Sequence, residues 1–217
     1  MATIVVDVLS DNPDDGLTLR EALALANDES ANPGGDDITF APELQSGRIV
    51  LTGGQLVATS DVTIDGGANV TIDANQQSRV LLVQGEGSDV VLDSLTLTGG
   101  RFPSSANTPE VGAGIKAESG TTLSLVDTSV VGNITDSYGS GAAGIYAAGP
   151  TSLTRSTVRG NRAGYSEGGG AGGGIYTNDV LSLIDSTVAD NVATIGGGDK
   201  RRGSVPGAGN PPNHTLS

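Results

Sequence analysis

Twenty-five acidic side chains against eleven basic ones make carboxylates the most abundant reactive groups in this 217-residue chain, and the formal net charge is -14. Asp65, Asp73 and Asp93 fall in or beside strand-like segments, while Asp14, Asp15, Asp36 and Asp37 fall in loops. Two such carboxylates could act as acid and base on a glycosidic bond, or could hold Ca2+ beside a Lys or Arg base. The bases available are few and scattered: Arg79, Arg101, Lys116, Arg155, Arg159 and Arg162. Calcium has one local candidate, DNPDDG at 11–16, which opens like an EF-hand loop. Pro13 stands at its third ligand position and Ala22 at its twelfth, so an EF-hand is excluded. A looser oxygen-ligand Ca2+ site in the acidic loops is left as the alternative to solvated charge, and no other cofactor is expected.

Other chemistries are closed by composition. With no cysteine, thiol nucleophiles, disulfides and Cys-based zinc sites are absent, and the single histidine, His214, is the fourth residue from the end. An electronegative field of this size repels phosphate, which argues against nucleic acid and anionic lipid as partners. No apolar run approaches the roughly 18 residues of a membrane span, and no basic and apolar leader precedes the first strand-like segment, TIVV at 3–6.

The elements that must position these side chains are repeats. Gly114-Ile115-Lys116, Gly144-Ile145-Tyr146 and Gly174-Ile175-Tyr176 recur every 30 residues. Each is followed by a second block, LSLVDTSVVGN at 123–133, TSLTRSTVRGN at 151–161 and LSLIDSTVADN at 181–191, with a looser version, VVLDSLTLTGG, at 90–100. Apolar residues alternate for two or three positions and then yield to a polar pair, so the strands are short, and Gly, Asn and Asp turns separate them. Linked motifs held in phase predict an all-β, right-handed parallel β-helix in which each repeat is one rung of a solenoid, ~4.8 Å from the next. Ile115, Ile145 and Ile175 then form one inward ladder, and Val130, Val158 and Val188 another. Asn133, Asn161 and Asn191 close equivalent blocks, where stacked amides would hydrogen-bond along the solenoid. Lys116, Tyr146 and Tyr176 fall on one outward stripe, the candidate surface for a sugar ring or a protein partner, with shielding of the sheet and a cation–ring contact as the plainer reading. No regular Thr-x-Thr array is visible from rung to rung.

Three regions follow. Residues 1–45 hold a strand and the segment TLREALALAN, where Thr18 and Glu21 fit a capping box and Leu19, Ala22, Leu23 and Ala26 form one apolar stripe; this short helix is expected to cap the first rung. Residues 46–197 are the β-helix rungs. Residues 198–217 are an irregular tail: Ser204-Val205-Pro206 stands where the period calls for another Gly-Ile-Tyr, so the parallel stack is expected to stop there. The tail either folds over the last rung or leaves it open to self-association, and the abrupt change raises the expectation of a fragment or an altered frame of a longer β-helix.

TLREALALAN at 18–27, NPGGDDITF at 32–40, the strand residues at 49–52 and VTIDGG at 62–67 resemble the N-terminal region of bacterial secreted and surface proteins with a Cys/Ser-Leu-Arg-Glu-Ala-Ile-type motif. The Gly-Ile-Tyr and STVxGN blocks resemble the β-helix repeats of the same proteins and, more distantly, those of polymorphic outer-membrane proteins. The resemblance covers about residues 3–197, and Thr18 stands where that family has Cys or Ser. It implies a secreted or cell-surface β-helix. The function expected is therefore a non-catalytic structural or adhesion module. The alternative is a polysaccharide lyase or glycoside hydrolase of the pectate-lyase-like superfamily, against which stands the lack of an Asn-Thr-Asp or Gly-His-Gly motif.

Overall fold

A computed structural model describes residues 2–30, 34–102, 111–136, 142–164, 172–195, 199–202 and 214–216. The chain coils into a parallel β-solenoid of about six turns with one α-helix. Three sheets run along it. The 11-stranded long sheet carries two arms of each rung, a six-stranded sheet carries the Gly-Ile-Tyr strands, and a five-stranded sheet carries the short strand after each asparagine.

Short alternating segments stack because each inward apolar residue meets its equivalent in the next rung. In the first arm of the long sheet the inward ladder is Ile4, Ile38, Ile64, Leu92, Leu125, Leu153 and Leu183. In the second arm Ile49, Ile72, Leu97, Val130, Val158 and Val188 follow one another. The Gly-Ile-Tyr sheet aligns Leu56, Leu81, Ile115, Ile145 and Ile175. From Ile38 to Val158 these side chains are buried, and taking each one out of water contributes about 1.5–3 kcal/mol.

The glycines that open the first two of these three blocks, Gly114 and Gly144, are dictated by stacking. A Cβ on Gly114 would stand 2.5 Å from the Gly144 carbonyl oxygen and 2.9 Å from the Asn133 amide, and one on Gly144 would run into the Gly174 carbonyl. The bend between the two long-sheet arms needs a left-handed residue in every rung: Ser94, Asp127, Arg155 and Asp185 hold φ of 54°, 46°, 48° and 50°. Polar residues fill that column, which explains why a polar pair interrupts each alternation.

The N-terminal helix, Leu19–Ala26, begins with the full capping box. Thr18 Oγ1 accepts the Glu21 N–H at 3.2 Å, and the Glu21 carboxylate accepts the Thr18 N–H at 3.0 Å. Leu19, Ala22, Leu23 and Ala26 are buried against the first strands. Asn27 fastens the helix end to the first strand of the Gly-Ile-Tyr sheet, donating to Val57 O at 2.8 Å and accepting the Thr59 N–H at 2.8 Å. The long sheet already starts inside this N-terminal stretch, since Thr3–Val6 pairs in parallel with Asp36–Phe40.

The tail does not lengthen the parallel stack. Asp199–Arg202 lies antiparallel on Val192–Ile195, and His214–Leu216 lies antiparallel on Ile175–Thr177. Ser204, Val205 and Pro206 lie outside the described residues.

Candidate functional site

The three asparagines that close the repeat blocks form a buried ladder. Asn133 Nδ2 donates to Asn161 Oδ1 at 3.0 Å, and Asn161 Nδ2 donates to Asn191 Oδ1 at 2.9 Å. Each Oδ1 also accepts a backbone N–H from the preceding rung, that of Gly100, Asn133 or Asn161, at 2.8–3.0 Å. Each amide nitrogen reaches back to a carbonyl, of Leu97, Val130 or Val158. All three side chains sit at 2% exposure or less, a depth at which an unpaired amide would cost about 1–3 kcal/mol.

A second polar ladder, which the sequence reading passed over, lies at the other bend. Thr128 Oγ1 accepts the Leu95 N–H at 3.3 Å, Ser156 Oγ accepts the Thr128 N–H at 3.1 Å, and Ser186 Oγ accepts the Ser156 N–H at 3.1 Å. In the sequence it leaves only a hydroxyl residue after Asp127, Arg155 and Asp185, whose left-handed conformation spacing does not disclose. Thus the two bends of every repeat carry one rung-to-rung side-chain relay each.

The basic residues of the repeat region pair with carboxylates. Asp136 accepts from Arg101 at 3.2 Å and from Arg162 at 2.9 Å, joining rungs along the short sheet. Arg155 grips Asp127 in the adjacent rung with two bonds of 2.8 and 2.6 Å, and Arg159 pairs with Asp190 at 2.7 Å. The hydrogen bonds from Arg155 hold the Asp127 carboxyl below its ordinary value, and the same contact raises the guanidinium of Arg155. Arg48 pairs with the buried Asp73. Arg79 is itself buried, donating to Gly112 O and to Gln55 and lying over the Phe102 ring at 4.8 Å.

The outward stripe of the Gly-Ile-Tyr sheet brings Lys116, Tyr146 and Tyr176 into one register column. The two tyrosine rings are parallel within 4° with centroids 5.3 Å apart. Rings stacked this way cover each other's faces, so the stripe offers outward mainly ring edges and hydroxyls, and Asn178 reaches the Tyr146 hydroxyl at 3.4 Å. Lys116 pairs with Glu118 at 2.9 Å rather than with a ring. A flat two-ring platform for a sugar is therefore not what this pair forms.

In the N-terminal acidic loop, carboxylates serve the backbone and the cap. Asp7 accepts the Leu17 N–H at 2.7 Å and Asp15 accepts the Ser10 hydroxyl at 2.6 Å. Asp11 receives Arg20 in a two-pronged bond of 2.9 and 3.0 Å and the N–H groups of Thr52 and Gly53 at 2.6 and 2.8 Å. Burial pushes the Asp11 carboxyl up, but these donors more than offset it and hold it below the usual carboxylate range. Among the described residues, no three acidic or histidine side chains gather as a metal cage. One further column emerges: Thr71, Thr96, Ser129, Thr157 and Thr187 stack on the outer face of the second arm, at spacings too uneven to see in sequence. Its neighbours two residues on are Asp73, Thr98, Val131, Arg159 and Ala189, so a paired Thr-x-Thr surface does not form.

No family model, curated protein or solved structure matches the chain.

Proposed function

We propose that this protein is a non-catalytic structural or adhesion module of the secreted or cell-surface kind, a stiff β-solenoid whose outward side chains meet a carbohydrate or protein partner. The observation that carries this reading is the use of its charged and polar side chains between rungs. Arg101, Arg155, Arg159, Arg162 and Lys116, the bases a lyase would draw on, are each held by a carboxylate. A catalytic base or charge clamp works from a poised position over a substrate groove, and these ion pairs, which join neighbouring rungs at the four arginines and stay within one rung at Lys116, hold the groups away from that role. Incubation with a panel of acidic and neutral polysaccharides, with binding and product analysis in parallel, tests the reading. Binding without depolymerised product is expected. New chain ends that appear with the wild-type protein and vanish with Arg162→Gln or Asp136→Asn would replace it with the enzyme.

A further inference from the structure

The last rung is covered on two of its three sides. The tail strands Asp199–Arg202 and His214–Leu216 occupy the edges of the short and Gly-Ile-Tyr sheets. The long sheet has no strand beyond Leu181–Ile184 and Thr187–Ala189 among the described residues, so its final backbone donors and acceptors face outward. The core registers the same gap: Leu125, Leu153, Val130 and Val158 are fully buried, while their successors Leu183 and Val188 are only partly so. Val180 and Ile184 are 68% and 53% exposed, two of the five large apolar side chains open to solvent among the described residues.

From this edge we infer a two-fold dimer in which a second copy of this chain pairs antiparallel along Leu181–Ile184. The strand is self-complementary in that direction. With Ser182 opposite Ser182 of the other copy, Leu181 lies opposite Leu183 on the inward face. Val180 then meets Ile184 on the outward face, twice by symmetry. The chain already places antiparallel strands on the two neighbouring edges of this rung, so that polarity suits its terminal layer. Each tail strand adds one layer of ~4.8 Å to its own sheet, so the two solenoids meet inclined to each other, joined at the long sheet alone.

The same register sets Asp179 of each copy against Asp185 of the other. Like charges at strand ends weaken the pairing, so this dimer strengthens with salt and with removal of those two charges. The experiment is sedimentation equilibrium of the full chain at rising concentration. The expected result is a reversible monomer–dimer equilibrium. Val180→Lys with Ile184→Lys, both on exposed positions, weakens it by at least about tenfold. Asp179→Asn with Asp185→Asn strengthens it, whereas Glu43→Gln with Glu86→Gln, an equal change of net charge at exposed sites elsewhere, leaves it nearly unchanged. A strict monomer throughout, as coverage of the edge by the chain's own residues would give, overturns the proposal. So does a dimer indifferent to the lysine pair, or one that responds equally to both charge-neutral pairs.

Discussion

Asn161 bonds to the rungs on both sides of it, and its loss is felt in three places. Removing the amide orphans the Asn133 N–H and leaves Asn133 Nδ2 only its bond to Leu97 O, withdraws the donor to Val130 O in that same preceding rung, and withdraws one donor from Asn191 Oδ1 in the following one. Asn161→Ala should therefore cost about 2–4 kcal/mol, more than one unsatisfied group at ~1–3 kcal/mol. Asn69→Ala should cost less, though not nothing, because Asn69 holds φ at 76° and accepts the Thr96 hydroxyl at 2.9 Å. Denaturant midpoints read the difference, and equal losses would remove the amide ladder from the account. Glycine gives a parallel contrast. Gly144→Ala drives a Cβ into the Gly174 carbonyl of the next rung, whereas Gly54→Ala meets only the strain of φ at 83° in open space. The first should lower the melting temperature severely, the second by the few degrees that ~1 kcal/mol represents. The asparagines were legible in the sequence because they end three nearly identical blocks. The Thr128–Ser156–Ser186 relay was not, since Thr stands once and Ser twice there and the residue before them varies between Asp and Arg.

At the scale of the element, a strand's identity rests on its inward ladder. Ile145→Asp would place an unpaired carboxylate between Ile115 and Ile175 at a fully buried position, a penalty of several kcal/mol and comparable with the stability of a domain. Insoluble or unfolded protein is expected, and a wild-type melting curve would contradict the inward assignment. The helix cap carries one part of the pH dependence. Asp11 is more acidic folded than unfolded, so its contribution is present above its unfolded value near ~4 and is lost as pH falls through the lower folded value. Acid should therefore loosen the N-terminal cap, and Asp11→Asn should remove that part of the acid sensitivity; fluorescence-free probes such as amide exchange at Leu23 and Ala26 would follow it. The capping box and the apolar stripe of this helix could be read directly, because both depend on spacing within one turn. The Asp11–Arg20 clamp could not, because it also draws in Thr52 and Gly53, some 40 residues away, whose N–H groups only the coiled chain brings near.

For the whole molecule, the regular C-terminal half disclosed the architecture and the irregular N-terminal half concealed its extent. Ile115, Ile145 and Ile175 repeat evenly, but 25 residues separate Leu56 from Leu81 and 34 separate Leu81 from Ile115, so the same ladder continues upward without a visible period. Loops of unequal length cost little in a solenoid, because contacts depend on register within the sheets and not on the chain between them. The outward tyrosines were placed correctly on one stripe by spacing, yet ring orientation, which decides whether faces or edges meet a ligand, depends on side-chain torsions that spacing does not encode. What unifies these observations is that the repeat motif serves stacking: its glycine admits the next rung, its isoleucine fills the core, and its asparagine ties one rung to another. Native-state hydrogen exchange tests that claim most directly, at the backbone N–H groups of Gly100, Asn133 and Asn161, which bond to the side-chain oxygen of the following asparagine. The account predicts that these three amides exchange as slowly as those of the central strands Thr122–Val126 and Thr151–Thr154, and that Asn161→Ala exposes the Asn133 amide first. Exchange at the rate of open turns in the wild-type protein would contradict it.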